Sequence, residues 1–561
     1  MAPPITLPPL SLDRVIEGRH IASPSSILFT IPREILHLII GLVASDKSHL
    51  ASLALVNSTC RQLARSCQFS NLHLDYGSVA LEVLAMLQKE AAQRYRSSDR
   101  MTVSPSLGAC VRQLRVDTKE FWPRLQSLFP PGFHSAAQPD DKEVERARGL
   151  SDVMSEFLSH LYWPTALLVI PTLPNLQSLC MTGLTLEDDL LDCVIGLPIK
   201  NLELNGGFLR TPPKRASRSL CPLETLETLH IDSNWELDFA YGNYSNTELD
   251  PSGFYEILLA SCCSSLRRLE ISHRQIHMFL QRGMLKERPL SFYMEFPKLK
   301  TLHIGRMTVV DARVLSCLVR EGLTSLNIPY NDTSQFLSGL GQIRTLDTVI
   351  LDGYRTTGSP TRFIEANTQI RSLAISWAVD AFLGRVIQSL HHHGSLKRLS
   401  LEWHENHIPE TSLERLSLLS SIEMLHLGAG KDMGRPEDWF VDHDELRRYV
   451  GRLPQLRRLI ITHDTYPLQA DEAVFLDPDR YYYNRVPGTA IWAAHETRMR
   501  ELAFAYVETL PMLEFLHIGK VIFAVEERNG VREPIVTRSA WIVNNEYSVL
   551  KEEFGVRNPS L

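Results

Sequence analysis

The histidine-rich segments are the first candidates for chemistry in this 561-residue sequence. Three adjacent histidines occupy residues 391–393, and His404 and His407 flank Glu405 a few residues later. A zinc site needs ligands that converge on one point, whereas adjacent side chains of a loop diverge. The His404 and His407 pair follows a predicted strand and lacks the i, i+4 helical spacing of a zinc protease. The sequence therefore predicts a solvated loop at the triplet and no catalytic metal at the pair.

Residues 428–432, with the sequence GAGKD, are similar in part to a phosphate-binding loop. Leu425 stands where that motif begins with glycine, and Asp432 replaces its required Ser or Thr. No G-x-S-x-G elbow is present in the sequence, and no cysteine, histidine and acid form a recognisable catalytic pattern. We therefore expect a turn at this segment, and we predict that the protein is not an enzyme and needs no cofactor.

Composition and charge narrow the class of protein. Hydrophobic residues make up 44% of the chain and charged residues 22%, which is typical of a folded soluble protein. The net charge of −7 disfavours nucleic acid and anionic membranes as partners. The nine cysteines include no CxxC pair, and neither a signal peptide nor a long apolar span is evident. The sequence therefore predicts reduced thiols and a cytoplasmic and/or nuclear location.

A repeated phrase positions most of the apolar residues from about Leu176 onward. It consists of Leu, two variable residues, Leu, one variable residue, and Leu or Ile, which is the strand half of a leucine-rich repeat. Between Leu302 and Leu425 it recurs in steps of 23 to 26 residues. The second apolar positions are Leu179, Leu202, Leu229, Leu269, Leu302, Leu326, Val349, Leu373, Leu399, Leu425, Leu459 and Leu516.

The repeats are irregular in two respects. Longer steps predict insertions at residues 232–252 and 465–487, and an earlier phrase at residues 111–116 predicts a first strand. Regular repeats carry an asparagine five positions after the second leucine, and here only Asn234 and Asn331 match. The turns must therefore satisfy their backbone groups by other means.

Three short helices are predicted before the repeats. Pro32 suits the first turn of a helix that carries Ile35, Leu36, Ile39, Ile40 and Val43. A polar break at residues 45–48 begins a second helix with Leu50 and Leu53, and Asn57 is placed to cap a third. Such a unit buries little apolar surface, so it needs a partner or the following domain for stability.

This N-terminal segment resembles the F-box. The matching residues are Ile31-Pro32-Arg33-Glu34-Ile35-Leu36, Leu55-Val56, Arg61 and Leu63-Ala64. It departs from the family pattern at Ile31, where leucine is usual, and at Cys60, where many members carry an aromatic residue. The resemblance implies docking to a Skp-type adaptor, which links to a cullin complex. The adaptor-binding residues it implies are Pro32, Ile35, Leu36, Ile39, Leu50, Leu53 and Val56. The alternative is a plain three-helix cap over the first repeat.

Two sets of repeat residues are candidates for contact with a partner. The residues between the second and third apolar positions should face the concave side and are mixed and nearly neutral: His230, Glu270, His303, Asn327, Ile350, Ala374, Ser400, His426, Ile460 and His517. Tyr330, Tyr354, Trp377 and Trp403 follow successive strands and predict an aromatic ledge, which is the usual kind of interface anchor. The alternative is that these rings fill the turns in place of the asparagine ladder.

The sequence as a whole predicts an α/β fold, with a short N-terminal three-helix F-box-like unit followed by an irregular leucine-rich-repeat solenoid, or horseshoe. The predicted segments are a disordered lead (1–22), the F-box-like domain (23–75), connecting helices and a first strand with a polar excursion (76–165), repeats (166–530) and a C-terminal cap (531–561). Irregular repeats after an F-box resemble the F-box/leucine-rich-repeat proteins, including a large fungal-type set. The resemblance implies a substrate-recognition subunit of an SCF-type cullin-RING ubiquitin ligase. The alternatives are a repeat scaffold without a ubiquitin-ligase role and a hydrolase within the insertions.

Overall fold

The computed structural model describes the greater part of the repeats and of the N-terminal helices. The described residues are 31, 33–44, 46–75, 77–96, 106–117, 162–182, 185–186, 188–209, 223–233, 252–273, 284–285, 294–305, 308–309, 312–329, 333–352, 360–430, 439, 441–462, 490–519, 521–539 and 554. The predicted lead, and nearly all of both predicted insertions, lie outside them. The chain divides into two compact units, Met1–Leu266 and Arg267–Leu561.

The first unit begins with the three predicted helices. Asp46 caps the second, accepting a 2.7 Å hydrogen bond from the Ser48 amide. Asn57 caps the third through a 2.8 Å hydrogen bond from the Cys60 amide, as predicted. Ile40 and Leu63 form the buried centre, with Leu53 and Cys67 packed against it. The helices are α1 (Arg33–Val43), α2 (Lys47–Ala54) and α3 (Ser58–Gln68).

Parallel strands form the sheet of the first unit. They pair in register through one leucine each: Leu72, Leu114, Leu179, Leu202 and Leu229. The predicted strand at residues 111–116 is confirmed, whereas β1 was not expected. The strands are β1 (Asn71–Leu74), β2 (Gln113–Asp117), β3 (Ser178–Thr182), β4 (Thr185–Leu186), β5 (Asn201–Leu209) and β6 (Thr228–Ser233). The helices among them are α4 (Ser78–Arg96), α5 (Trp163–Val169), α6 (Asp188–Val194) and α7 (Ser252–Cys262).

The second unit continues the pattern with the remaining predicted strands. Leu269, Leu302, Leu326, Val349, Leu373, Leu399, Leu425, Leu459 and Leu516 face one another in register. Each of these positions is buried, so the repeated leucine builds the core. The strands are β7 (Arg268–His273), β8 (Met284–Leu285), β9 (Thr301–Gly305), β10 (Thr308–Val309), β11 (Ser325–Pro329), β12 (Thr348–Asp352), β13 (Ser372–Ala378), β14 (Arg398–Trp403), β15 (Met424–Ala429), β16 (Arg458–Thr462) and β17 (Phe515–Ile518).

Helices connect the later strands and bury apolar faces. In α10 the buried residues recur at helical spacing, and they are Phe382, Leu383, Val386, Ile387 and Leu390. The helices of this unit are α8 (Ser334–Gly339), α9 (Thr361–Ala366), α10 (Asp380–Leu390), α11 (Glu410–Leu416), α12 (His443–Val450) and α13 (Ala490–Thr509). Within the described part of the chain, no helix is both long and apolar enough to cross a membrane.

The carbonyl group of the residue that precedes a repeat strand accepts hydrogen bonds from the amides at the start of the next repeat strand. The Lys300 carbonyl accepts hydrogen bonds from the amides of Thr324 (2.8 Å) and Ser325 (3.1 Å). The Asp347 carbonyl does the same for Arg371 and Ser372, at 2.9 and 3.1 Å. Because this pattern recurs along both units, the strands are aligned at their entrances.

Hydroxyl groups supply a second set of links between repeats. The side chain of Thr225 donates to the Ile199 carbonyl at 2.9 Å, and Thr345 donates to the Leu323 carbonyl at 2.8 Å. Ser395 makes the equivalent bond to the Ile370 carbonyl at 3.2 Å. Each donor lies three residues before a strand, so this hydroxyl ladder satisfies turn carbonyls at the strand entrance. These bonds lie at the opposite end of the strands from the ladder-asparagine positions.

An antiparallel hairpin follows the last parallel strand. Strand β18 (Val521–Arg528) pairs antiparallel with β17 and with β19 (Val531–Ser539). The connecting residues Asn529 and Gly530 have φ angles of +54° and +77°, as a tight hairpin turn requires. The predicted boundary between repeats and C-terminal cap, at residue 530, therefore falls at the tip of this hairpin. The parallel repeats end at β17.

Candidate interaction surfaces

Helix α1 carries an exposed apolar stripe. Its members, Ile35, Leu38, Ile39 and Leu42, follow the i, i+3, i+4, i+7 spacing that places side chains on one helical face. The opposite face contributes Ile40 to the buried centre. Apolar side chains on both faces of a short helix require two partners, one of which is the rest of the three-helix unit.

The turn after α2 adds two more exposed apolar side chains, Leu55 and Val56. The Nε of Arg61 donates a 3.2 Å hydrogen bond to the Ala54 carbonyl, and the Asn57 cap fixes the other end of the turn. We call the exposed apolar residues of α1 and of this turn together the N-terminal apolar face: Ile35, Leu38, Ile39, Leu42, Leu55 and Val56.

The N-terminal apolar face differs in part from the predicted adaptor-binding set. Ile35, Ile39 and Val56 lie on it, whereas Leu50 is buried, with 5% of its surface exposed, and Leu53 packs into the helical centre. Burial contradicts the docking role of Leu50, whereas that of the half-buried Leu53 stays a prediction. Pro32 and the side chain of Leu36 lie outside the described residues. Sequence reasoning missed Leu38, Leu42 and Leu55, although the first two extend the helical spacing from Ile35.

The predicted aromatic ledge is absent at its two described positions. Trp377 and Trp403 are buried, so their rings fill the strand ends, the alternative that the sequence left open. The register of β13 and β14 shifts between Ile375 and Ala378, and Trp377 has a φ of +56° within this bulge. The other two members, Tyr330 and Tyr354, lie outside the described residues.

The inner row of the first unit carries charged and polar side chains. By this row we mean the residues one position after the core leucines, which alternation places on the opposite sheet face. They are His73, Arg115, Cys180, Glu203 and His230, aligned in register. Arg115 and Glu203 each expose about half of their side chains (45%), so this row is open to a partner.

The charged side chains of this row contact polar neighbours. Arg115 Nη2 contacts Asp117 Oδ2 at 2.7 Å, and Glu203 Oε1 lies 3.6 Å from His230 Nδ1. Asn205 donates a 2.6 Å hydrogen bond to the same Glu203 oxygen. The polar contact with His230, followed by the hydrogen bond from Asn205, lowers the pKa of Glu203 to about 2. Glu203 is therefore an anion throughout the physiological range.

The inner row of the second unit is buried instead, contrary to the expected open concave side. The row comprises Glu270, His303, Asn327, Ile350, Ala374, Ser400, His426, Ile460 and His517. Asn327 Nδ2 lies 3.0 Å from His303 Nε2. Ser400 Oγ lies 2.7 Å from His426 Nδ1, and Thr462 Oγ1 lies 2.8 Å from His426 Nε2. Polar side chains thus link adjacent strands directly.

The Ser400 and His426 contact has the elements of a nucleophile and base. A catalytic pair needs access to substrate and a group that orients the histidine, commonly a carboxylate. Here both side chains are buried, and the second ring nitrogen of His426 meets the Thr462 hydroxyl. This network is suited to tying three strands together.

The histidine triplet divides between surface and core. Its first two residues are exposed, whereas His393 is buried, so the expected solvated loop is incorrect for that residue. Burial lowers the pKa of His393, because desolvation disfavours its cation. Among the described residues, no group of three or more His, Cys, Asp or Glu side chains is placed to hold a metal ion.

The register of the parallel strands identifies the fold of the repeats. Parallel strands that begin with the same bonds and align the same leucine constitute repeated units stacked on one another. The chain has a leucine-rich-repeat fold. No protein-family model and no curated protein matched the chain.

Several solved structures containing leucine-rich repeats are similar to the chain at low identity. A leucine-rich-repeat protein of Leptospira interrogans is 15% identical, with 62% of this chain and 91% of that chain covered and a TM-score of 0.23. A chain of the octameric complex of Latrophilin 3, Unc5D and FLRT2 (LRR) is 13% identical, with 54% and 71% covered and a TM-score of 0.25. The mouse RP105/MD-1 complex contains a chain 12% identical, with 61% and 62% covered and a TM-score of 0.24. These TM-scores are low, and the fold assignment rests on the register above.

Proposed function

We propose that this protein is the substrate-recognition subunit of an SCF-type cullin-RING ubiquitin ligase, without covalent chemistry of its own. The observation that carries the proposal is the N-terminal apolar face, which lies within the segment that resembles an F-box. In this proposal the face docks a Skp-type adaptor, and the repeats hold the target protein. Ubiquitin transfer is then accelerated by proximity, since tethering raises the effective concentration of the target.

The size of the N-terminal apolar face suits such docking. Burying one Leu or Ile side chain contributes about 1.5–3 kcal/mol, and six large apolar side chains are exposed here. Part of that gain offsets the entropy lost on association. The two sequence departures, Ile31 and Cys60, retain apolar character.

The open inner row of the first unit is the proposed contact for the target. Arg115 and Glu203 present opposite charges on either side of Cys180, with His73 and His230 at the two ends of the row. Complementary charges favour specificity and association rate more than affinity. A target that binds this row should therefore carry both acidic and basic side chains.

A matched pair of variants tests adaptor docking. Leu38 on α1 and Leu418 in the second unit are both 64% exposed. Leu38→Asp should weaken binding of a purified Skp-type adaptor to the full chain at least tenfold, because a charge would be buried at the contact. Leu418→Asp should bind as the wild type does. Equal binding of both variants in calorimetry would contradict the proposed docking face.

A second candidate is an interaction scaffold without a ubiquitin-ligase role, in which the helices only cap the first strands. Contacts between α3, with the residue that follows it, and the segment that precedes β2 favour it. The buried Gln62 donates a 3.2 Å hydrogen bond to the Ser106 carbonyl, and Phe69 packs against Cys110. Measuring adaptor binding by the wild-type chain distinguishes the two candidates, because a scaffold would not bind the adaptor at all.

A further inference from the structure

A phenylalanine far from the repeats in sequence is buried on the sheet of the second unit. Phe554 follows the end of β19 by 15 residues and exposes 3% of its surface. It forms a cluster with Met424 of β15, Ile460 of β16 and Ile522 of β18, and Phe515 of β17 packs against this cluster. Phe554 is therefore part of an apolar cluster whose other members come from four neighbouring strands.

The cluster lies on the face that carries the inner row. Ile460 aligns with His517, and His517 with Ile522, so the three share one row. Met424 and Phe515 precede the inner-row residues His426 and His517 by two positions, which places them on the same face. Phe554 thus covers the surface on which repeat strands carry variable residues, opposite to the core leucines.

The floor of this site is held rigidly. The ring of His426 lies 6.1 Å from that of Phe554 at an interplanar angle of 47°. Both nitrogens of His426 contact hydroxyl groups, at 2.7 Å from Ser400 and 2.8 Å from Thr462. At its edge, the Arg458 guanidinium lies 4.7 Å from the centre of the Phe515 ring. A preorganised aromatic and aliphatic floor of this kind binds an aromatic side chain without first rearranging.

We propose that this surface is a binding site for an aromatic side chain of a partner polypeptide, and that Phe554 occupies it in cis. The local sequence around Phe554 has charged neighbours, Glu552, Glu553 and Arg557. The partner is accordingly a short peptide segment in which a phenylalanine is flanked by charged residues. Because cis occupancy acts at a high effective concentration, the site is closed until a stronger ligand displaces Phe554. The inference does not depend on adaptor binding.

The experiment uses the full chain and a fluorescein-labelled peptide with the sequence of residues 546–561. Phe554→Ala empties the site, so the labelled peptide should bind this variant at least tenfold more tightly than it binds the wild type. A peptide carrying Phe554→Ala should bind the variant at least tenfold more weakly than the original peptide. Fluorescence anisotropy measures all three affinities.

Three results would overturn the inference. Equal affinity of the peptide for wild type and variant would show that Phe554 does not compete for the site. Failure of the peptide to bind the variant, or loss of cooperative melting in the variant, would make Phe554 a fixed part of the core. Adaptor binding measured on the same variant keeps the two proposals separate, since it should equal that of the wild type.

Discussion

The indole Nε1 of Trp403 donates a 3.1 Å hydrogen bond to Oδ1 of Asp380. The same oxygen accepts a 2.8 Å hydrogen bond from the Ser412 hydroxyl. Asp380 begins α10 and Ser412 lies in α11, so one carboxylate joins the exit of β14 to the helices on either side of it in sequence. The buried ring and its polar tip are both satisfied, as a buried tryptophan requires.

Substitutions at Trp403 should lower stability rather than target capture. Trp403→Ala should reduce the free energy of unfolding by about 3–5 kcal/mol, since it removes a fully buried ring. Trp403→Phe keeps most of the volume and should cost about 1 kcal/mol from the lost hydrogen bond. Urea titration measures both values. An alanine variant of wild-type stability that fails to capture a target would restore Trp403 to a binding surface.

Truncation of two leucines in the N-terminal unit should change its stability by very different amounts. Leu50→Ala should destabilise this unit by about 2–4 kcal/mol, because Leu50 is 5% exposed. Leu42→Ala should change stability by less than about 0.5 kcal/mol, because Leu42 is 82% exposed. Hydrogen exchange of the amides of α1 to α3 reports the local free energy. The reverse ranking of the two variants would contradict the orientation of α1 and α2.

Acidification should weaken the first unit through Glu203. Its pKa is lowered from 4.5 to about 2, so the folded form favours the carboxylate. The resulting stability is fully present above pH 4.5 and is lost as the pH falls towards 2. Since the side chain is 45% exposed, solvent screening limits the effect to about 1 kcal/mol.

Glu203→Gln should remove this pH-dependent contribution, and His230→Gln should reduce it, because His230 is the largest cause of the shift. Unfolding free energies of the three chains between pH 5 and pH 2 (the range set by the two pKa values) provide the comparison. Parallel curves for wild type and Glu203→Gln would show that the Glu203 contact does not exist in solution.

His443 should make the second unit sensitive to milder acid. Burial, followed by the charges of Arg447 and Arg498, lowers the pKa of His443 from 6.5 to about 4. Its Nδ1 lies 3.0 Å from the Tyr506 hydroxyl. The unfolded chain takes up a proton below pH 6.5, so stability present above that pH is lost as the pH falls to 4. We expect the free energy of unfolding to fall by about 2 kcal/mol, since partial exposure of the His443 side chain reduces the effect of its pKa shift.

A glutamine at this position tests the assignment to His443. His443→Gln cannot gain a proton, so its stability should change less between pH 6.5 and pH 4 than that of the wild type. Tyr506→Phe serves as the control, since it removes the hydroxyl contact but leaves the titrating ring. Thermal melting across this range gives both slopes, and identical slopes for wild type and His443→Gln would exclude it as the cause.

Periodicity was sufficient to locate the repeat strands. Within each unit the predicted core positions, from Leu114 to Leu229 and from Leu269 to Leu516, align in register, because a buried parallel strand needs the same apolar spacing in every repeat. Strand β1 was missed because its phrase, NLHL, lacks the leading leucine. The hairpin of β18 and β19 was not predicted, although the Asn529-Gly530 pair is a sequence signal for such a turn.

Burial of individual side chains was much harder to predict. Leu42 and Leu50 are the same residue type on neighbouring helices, yet one is exposed and the other buried, and only packing distinguishes them. The inner row of the second unit gives the same lesson, since His426 is polar but inaccessible. A short apolar pattern fixes the helical face of a residue but leaves open which face meets the core.

The carbonyl pairs and the hydroxyl ladder at the strand entrances also determine where the repeats can change in length. From Ala378 the chain enters α10 after one residue, whereas 27 residues separate Thr462 from α13, yet the strands before and after each connection pair in parallel through the same core leucine. Strand exits are therefore the segments in which insertions accumulate without shifting the sheet. Hydrogen bonds at the entrances thus hold the framework together, whereas the exits carry connecting segments of very different length on that same framework.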